Sequence, residues 1–347
     1  MKAKRGKYVT NKESEIDIGW QTHNNGARFL VGEVKEAVKG GAKGSLMAKN
    51  ILDLIGNTPI VELTKVNNTN SIILAKLEAL NPSGSIKDVM ALYMIDAAEK
   101  NGVLKPGNKI IEVTSGNTGI SFAMLSALKG YEFIAVMPEY MSRERRQMMQ
   151  AFGAEIILTP SEEGFEGALA RLEELAKENP TAWLPRQFDN VDNIAAHRQI
   201  TGKRILEGVE ESIDAFVCGV GTGGTLMGVA EALGKVYPNI KIVAVEPAES
   251  AVISGGKPGA HIIQGIGPGY IPSLVNMELV DEVVTVKGDE AVTMTRMLIE
   301  EEGLMVGLSS GANVFAASEI AKKSGKGKTI VTILPDRGER YFSMNLF

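Results

Sequence analysis

The chain has 347 residues, of which 44% are hydrophobic, 23% charged and 5% aromatic, and its formal net charge is -5. Such a composition is that of an ordinary globular protein of one or two domains. A polyanionic ligand favours a basic excess, which this chain lacks, so nucleic acid is not expected as its main partner.

Cysteine and histidine are scarce. Cys218 is the single cysteine, and His23, His197 and His261 lie far apart in the sequence. We therefore expect neither an internal disulfide nor a metal site, and we interpret Cys218 as a small buried hydrophobe. No apolar run approaches the roughly 20 residues that cross a bilayer, and the N-terminus lacks the apolar core of a secretory signal. We expect a cytoplasmic protein that does not bind membranes.

Residues 1–48 are polar and differ in character from the rest of the chain. They contain one weak helical pattern, ARFLVGEVKEAVK, over residues 27–39. We interpret them as an N-terminal extension, and the sequence does not indicate its function.

From Ile51 onward, short apolar runs alternate with amphipathic helical patterns, which is typical of βαβ units. The predicted strands are IILAKLE, KIIEVTS, FIAVMP, EIILTP, AFVCGV, KIVAVEP, EVVTVKG and TIVTILP. The predicted helices include IKDVMALYMIDAAEKNG, GISFAMLSALKG, SRERRQMMQAFG, GFEGALARLEELAKEN and DEAVTMTRMLIEEEG; the third is interpreted as having a solvated charged face and inward methionines. This pattern predicts an open, doubly wound α/β protein whose ligands bind at the carboxyl ends of the strands.

The glycine-rich segment CGVGTGGTLMG, residues 218–228, permits several interpretations. It satisfies G-x-G-x-x-G, and Glu246 ends the next strand where a ribose-binding acid would stand, so a dinucleotide is one candidate. Thr222 and Thr225 add hydroxyl donors at a helix N-terminus, which suits a terminal phosphate instead. A plain glycine turn is the third interpretation, and the loop alone does not decide between them.

Two further junctions carry candidate chemistry. TSGNTG, residues 114–119, places hydroxyls, an amide and backbone N–H groups at a helix start, where they suit a carboxylate, although Ser and Asn are also ordinary helix caps. Lys87 follows a Pro-Ser-Gly-Ser turn just inside a predicted helix. A positive helix end disfavours an ammonium, and a neutral lysine amine is a nucleophile toward aldehydes.

NPSGSIKD, TSGNTG, GTGGT and GLSSGA occur in this order along the chain. As a set they closely resemble the cysteine synthase (O-acetylserine sulfhydrylase) family of fold-type II pyridoxal-phosphate enzymes, and the resemblance runs from residue 50 to the end. It implies an α/β fold similar to the tryptophan synthase β subunit, with two doubly wound open sheets in two domains. The implied domains are a small, mobile substrate-binding domain at 82–190 and a large cofactor-binding domain at 49–81 and 191–347.

The resemblance also implies pyridoxal 5'-phosphate as cofactor and assigns roles to individual residues. Lys87 matches the catalytic Schiff-base lysine, Asn117 the residue bonding the pyridoxal 3′ oxygen, and Ser309 the hydroxyl facing the pyridine nitrogen. The phosphate-binding residues implied are Gly221, Thr222, Gly223, Gly224 and Thr225. The substrate-binding residues implied are Thr114, Ser115, Thr118 and Gln187 for the α-carboxylate, and Gly265 as a backbone position lining the site.

The activity implied is β-replacement, which makes L-cysteine from O-acetyl-L-serine and sulfide through an aminoacrylate intermediate. A related replacement or elimination with serine, O-phosphoserine or cysteine as donor is the alternative, because Val89 replaces the family's common arginine and DRGERY, residues 336–341, resembles a second branch. A nicotinamide-dependent dehydrogenase and a non-catalytic binding module are the competing classes. The family further implies a homodimer and, in some members, binding of a serine acetyltransferase C-terminal peptide.

Overall fold

The computed structural model describes residues 48–344, and before them the backbone of three short strands. The chain divides into two compact units, Met1–Lys49 and Asn50–Phe347. In the first, β1 (Gly6–Tyr8), β2 (Ile16–Thr22) and β3 (Arg28–Val31) form an antiparallel sheet in sequential order. The helix predicted over residues 27–39 is therefore wrong at Arg28–Val31, where pairing with β2 outweighs a weak helical periodicity. The rest of that prediction lies outside the described residues.

Within its described residues, 50–344, the second unit contains nine strands in two sheets. They are β4 (Ile60–Glu62), β5 (Ile72–Lys76), β6 (Lys109–Val113), β7 (Glu132–Pro138), β8 (Glu155–Thr159), β9 (Ala215–Gly219), β10 (Lys241–Pro247), β11 (Glu282–Val286) and β12 (Thr329–Ile333). The larger sheet has the order β11-β10-β9-β12-β5-β4, and only the β4–β5 pair is antiparallel. The smaller sheet, β6-β7-β8, is parallel. All eight predicted strands are confirmed, and β4 was not predicted.

The helices connect and cover these strands. They are α1 (Lys87–Lys100), α2 (Asn117–Lys129), α3 (Arg143–Ala151), α4 (Gly164–Glu178), α5 (Asp192–Ala196), α6 (Lys203–Gly208), α7 (Gly224–Gly234), α8 (Gly288–Glu300) and α9 (Leu308–Ser324). A π-helical turn, His197–Gly202, joins α5 to α6. The five predicted helices are confirmed as α1 to α4 and α8. Within the part of the chain that the structure describes, no helix is long and apolar enough to cross a membrane.

The larger sheet is buried on both faces, which explains why its central strands are apolar throughout. In β9, Ala215 and Val217 belong to the core that includes α8 and α9, whereas Phe216 and Cys218 belong to the core that includes α7. Burial of each large apolar side chain contributes roughly 1.5–3 kcal/mol. The α/β class inferred from the sequence is confirmed. Chain connections diverge to either side of the β9–β12 pair, so the carboxyl ends of these two strands form the crevice where ligands bind in open sheets.

Candidate active site

A cavity lies at the carboxyl ends of β9 and β12. It brings together residues from six separate parts of the sequence, and most of the predicted cofactor residues line it. These are Lys87, Asn117, Gly221, Thr222, Gly223, Thr225 and Ser309, together with Gly265. Gly224 is not among the lining residues but is the first residue of α7.

The glycine loop forms an open cradle at the start of α7. Gly223 has φ +88, and no side chain caps the helix. A Cβ at Gly221 would collide with the carbonyl oxygen of Gly265, and one at Gly223 would lie 2.5 Å from Val275 Cγ2. The loop therefore needs glycine both for its backbone conformation and for close approach. Uncapped N–H groups at a helix N-terminus are well suited to a phosphate.

Glu246 excludes the dinucleotide interpretation of this loop. Its carboxylate is buried and accepts hydrogen bonds from Ile253 N–H at 2.8 Å, Ser254 N–H at 2.9 Å and the Ser254 hydroxyl at 2.6 Å. These bonds hold the turn after β10. The carboxylate is thus engaged in stabilising its own loop and is not presented to a ribose.

His197 contacts the glycine loop through Thr225. Its Nε2 lies 3.2 Å from Thr225 Oγ1, and its Nδ1 lies 2.9 Å from Thr201 Oγ1. Burial, together with the nearby Lys87, lowers the pKa of His197 to about 3. The ring is therefore neutral at neutral pH. Thr201 lies one helical turn after His197, whereas only the fold brings Thr225 to it.

Lys87 is the first residue of α1 and lies in the cavity. The pKa of its amine is lowered, chiefly because burial disfavours the ammonium, while electrostatic interactions with Cys218 and Asp336 act in the opposite direction. The sequence predicted an environment that favours the neutral amine, and the lowered pKa agrees with it. The main cause is burial rather than the helix end. Cys218 is also buried, which raises the pKa of its thiol to about 12. It is the small buried residue that the sequence indicated.

Asn117 is held by residues of the C-terminal segment. Its Nδ2 donates to Asp336 Oδ2 at 2.6 Å, and its Oδ1 accepts from the Arg340 guanidinium. The Tyr341 hydroxyl donates to the same Asp336 Oδ2 at 2.6 Å. We call Asn117, Asp336, Arg340 and Tyr341 the C-terminal network. It fixes which end of the Asn117 amide is donor and which is acceptor, and it leaves the second Nδ2 hydrogen for a ligand.

The predicted carboxylate-binding residues also meet. Thr118 Oγ1 donates to Gln187 Oε1 at 2.7 Å, although the two residues are 69 positions apart. Thr114 Oγ1 accepts from Gly119 N–H at 3.0 Å and so stabilises the turn into α2. Thr114, Thr118 and Gln187 are buried, whereas Ser115 is partly exposed. None of these four residues lines the cavity, in contrast to the predicted cofactor-binding residues described above.

Two residues that the sequence did not single out hold the backbone of Gln187. Glu112 Oε2 accepts from its N–H at 3.3 Å, and Asn193 Nδ2 donates to its carbonyl at 2.8 Å and to Thr222 Oγ1 at 3.0 Å. The preceding Arg186 has φ 51, which a residue with a side chain rarely adopts. Burial raises the pKa of Glu112 to about 7. Glu112 precedes TSGNTG by two positions, and this was the only available signal.

Arg145 corrects the interpretation of α3 as a helix whose charges are all solvated. Its side chain is 8% exposed, and its guanidinium lies over the Tyr341 ring at 5.2 Å from the centroid. An ideal Cβ at Gly116 would be 3.5 Å from its Nη1. Met149 does point inward and is fully buried. Helical periodicity assigned Arg145 to a polar face, but that face packs against the C-terminal segment.

The comparisons with known proteins agree with this geometry. The model of the family described as pyridoxal-phosphate dependent enzyme matches residues 51–336. The chain belongs to this pyridoxal-phosphate-dependent family. It is 50% identical over 300 residues to a cysteine synthase of Staphylococcus aureus, covering 86% of this chain and 96% of the relative.

Solved structures are similar over most of the chain. A cysteine synthase from Entamoeba histolytica has a TM-score of 0.85 and 44% identity, with 88% of this chain and 93% of that chain covered. A hydrogen sulfide-producing enzyme from Fusobacterium nucleatum has a TM-score of 0.83 and 43% identity, with 87% and 100% covered. The Entamoeba and Fusobacterium proteins therefore differ in named activity, although both are nearly equally similar to this chain.

The cavity fits the cofactor of this family. The glycine cradle and uncapped α7 suit a phosphate, a partly buried amine is available for an aldehyde, and the buried Ser309 offers a hydroxyl. Val89, where the family commonly has arginine, is fully buried and packs in the apolar cluster that contains Ile55 and Met90. An unpaired guanidinium would be destabilising in that cluster. The valine thus suits its surroundings in this chain.

Proposed function

We propose that this enzyme makes L-cysteine from O-acetyl-L-serine and sulfide by β-replacement. The observation that carries the proposal is the cavity that unites Lys87, the glycine cradle and Ser309 in a chain 50% identical to a cysteine synthase over 96% of that relative. When bound, pyridoxal phosphate acts as an electron sink for carbanion chemistry at an amino acid. The protein residues bind the reactants, move the proton and exclude water.

The residues divide into three groups by task. The phosphate is held by Gly221, Thr222, Gly223, Gly224 and Thr225 through N–H groups and hydroxyls. Asn117 would bind the 3′ oxygen of the cofactor, and the Ser309 hydroxyl would stand opposite the ring nitrogen. A serine hydroxyl is not acidic enough to protonate that nitrogen, which favours loss of a β substituent over reprotonation elsewhere.

Lys87 would hold the cofactor through its side-chain amine and, once released, would move the substrate proton. Burial lowers the pKa of its Nζ, which favours the neutral amine that can accept the Cα proton of the substrate. The substrate α-carboxylate is held by N–H groups and hydroxyls of the TSGNTG turn and by Gln187, with Thr114, Ser115 and Thr118 supplying the hydroxyls. Gly265 lines the site with its backbone.

The proposal includes movement of the part that carries the smaller sheet. We assign residues 82–190 to a small substrate-binding domain, and 49–81 with 191–347 to a large cofactor-binding domain. Closure of the small domain over bound substrate would exclude water from the reacting atoms. We further propose a cytoplasmic homodimer that binds a serine acetyltransferase C-terminal peptide. Light scattering tests the homodimer, and titration with the peptide tests its binding.

Turnover with four donors tests the activity. L-Cysteine or sulfide formation is measured with O-acetylserine, O-phosphoserine, serine and cysteine, each with and without added sulfide. We expect O-acetylserine with sulfide to be fastest, and Lys87→Ala to be inactive and to lose the visible absorption of the purified protein. Inactivity toward O-acetylserine with rapid sulfide release from cysteine would instead assign the activity named for the Fusobacterium relative.

A further inference from the structure

Asn193 joins the phosphate-binding loop to the segment that carries Gln187. It is fully buried, and its Nδ2 donates to the Gln187 carbonyl at 2.8 Å and to Thr222 Oγ1 at 3.0 Å. These two bonds use both hydrogens of the amide nitrogen. The roles proposed above give Asn193 no task, although it contacts both the loop assigned to the phosphate and the glutamine assigned to the substrate.

The orientation of the Asn193 amide is fixed by its surroundings. The Gln187 carbonyl can only accept a hydrogen bond, so the group that faces it must be the Nδ2 donor. The Oδ1 atom is buried, has no hydrogen-bond partner within residues 48–344, and lies against Gly224, where a Cβ would collide with it. A buried amide oxygen without a partner is unfavourable, so the two donated bonds maintain this orientation.

This amide determines the direction in which the Thr222 hydroxyl donates. Thr222 Oγ1 accepts from Asn193 Nδ2 at 3.0 Å and from Gly224 N–H at 3.4 Å, so both of its lone pairs face donors. Neither donor can accept the hydroxyl hydrogen, and no other acceptor bonds it in the part of the chain that the structure describes. Because Thr222 lines the cavity, this hydrogen is available to an acceptor bound there.

We propose that Asn193 is a positioning residue for the cofactor phosphate: by donating to Thr222 Oγ1, it leaves the hydroxyl hydrogen of Thr222 for a phosphate oxygen. This inference rests on the phosphate role proposed for the glycine loop. The oxygens of a phosphate dianion only accept hydrogen bonds, so a threonine stabilises them only as a donor. A hydroxyl that rotates freely would turn a lone pair toward the phosphate in part of its orientations, which is repulsive.

The other threonine of the loop is not constrained in the same way. Thr225 Oγ1 lies 3.2 Å from His197 Nε2, and a neutral histidine ring donates from one nitrogen and accepts at the other. His197 Nδ1 faces Thr201 Oγ1, which can itself donate or accept. These groups leave two directions of donation open, whereas the amide nitrogen of Asn193 permits only one.

A purely structural role for Asn193 makes a different prediction. Its bond to the Gln187 carbonyl supports a segment in which Arg186 has φ 51. If this support were its whole role, Asn193→Ala would weaken the binding of every ligand of the cavity to the same extent. Pyridoxal separates the two roles, because it has the ring and aldehyde of the cofactor but no phosphate.

Binding of pyridoxal phosphate and of pyridoxal is measured with full-length protein stripped of cofactor. Visible absorbance follows both titrations, and the ratio of the two dissociation constants isolates the contribution of the phosphate. In Asn193→Ala we expect the preference for pyridoxal phosphate over pyridoxal to fall about tenfold. Asn193→Leu, whose side chain has a similar volume, provides a second variant should the alanine protein fail to fold, and the same fall is expected.

A double variant tests whether Asn193 acts through Thr222. Thr222→Val removes the hydroxyl and keeps the shape of the side chain, so the preference should fall by at least about tenfold. Adding Asn193→Ala to Thr222→Val should then change the ratio by less than about twofold. Glu112→Gln is the matched control, because Glu112 also bonds the Gln187 backbone but does not bond Thr222, and it should keep the wild-type ratio.

The outcomes separate this inference from the proposed function. A wild-type protein that binds pyridoxal as tightly as pyridoxal phosphate overturns the phosphate role of the loop, and this inference with it. A wild type that prefers pyridoxal phosphate, with the preference unchanged in a folded Asn193 variant, overturns the positioning role alone. Additive effects of Asn193→Ala and Thr222→Val overturn that role as well, as does an equal fall in Glu112→Gln.

Discussion

Glu112 makes the stability of the protein depend on pH in a predictable direction. Burial raises the pKa of this carboxyl from 4.5 to about 7 in the folded state, despite bonds from backbone N–H groups that favour its charged form. The folded state therefore binds a proton more readily than the unfolded state between these values. The free energy of unfolding must fall as pH rises through this range and level off above it. A pKa change of this size corresponds to about 3 kcal/mol.

Glu112→Gln removes this dependence, because an amide does not titrate. We expect the stability of the wild type relative to the variant to fall by up to about 3 kcal/mol between roughly pH 4 and pH 8. Urea unfolding followed by circular dichroism at a series of pH values measures the difference. Glu211→Gln, which changes an exposed carboxyl, is the control and should follow the wild type. A difference between wild type and Glu112→Gln that stays constant across this range would refute the reasoning.

Three further substitutions test the packing around the site. Gly223→Ala places a Cβ at φ +88 and against Val275, so we expect a loss of about 1–2 kcal/mol in urea unfolding and weaker binding of pyridoxal phosphate in a fluorescence titration. Asn193→Ala leaves the Gln187 carbonyl without this donor and removes one of the two bonds to Thr222 Oγ1, which should destabilise the protein by about 1–3 kcal/mol and raise KM more than it lowers kcat. Lys76→Met should destabilise by roughly 3–5 kcal/mol because it leaves the fully buried Glu78 unpaired, and unfolding of the double variant with Glu78→Gln should recover part of this loss. Equal losses in the single and double variants would contradict the last prediction.

The contacts of the C-terminal network were not predicted from the sequence. DRGERY follows directly after a correctly predicted strand, and the rule that ligands bind at the carboxyl ends of strands could have drawn attention to Asp336. The sequence could not show that Asp336 bonds Asn117, because the two residues are 219 positions apart. Asn117 follows β6 of the smaller sheet and Asp336 follows β12 of the larger sheet, so only the packing between these two parts of the second unit brings them together.

Burial was the second property that the sequence could not supply. Arg145 stands on a helix whose pattern predicts solvated charges, and Glu112 ends a strand as an ordinary acidic residue would. Both are buried, because the segments that cover them come from distant parts of the chain. The raised pKa of Glu112 depends on this burial, and no local sequence pattern predicts it.

The sequence by itself determined the alternation of strands and helices, the α/β class and the order of the four cofactor and substrate motifs, because periodicity and glycine-rich turns are local properties. The tertiary structure decided which of these motifs share a cavity, that Glu246 is engaged by its own loop, and that Asp336 bonds Asn117. These outcomes depend on strand order and on desolvation, which act between residues far apart in the chain.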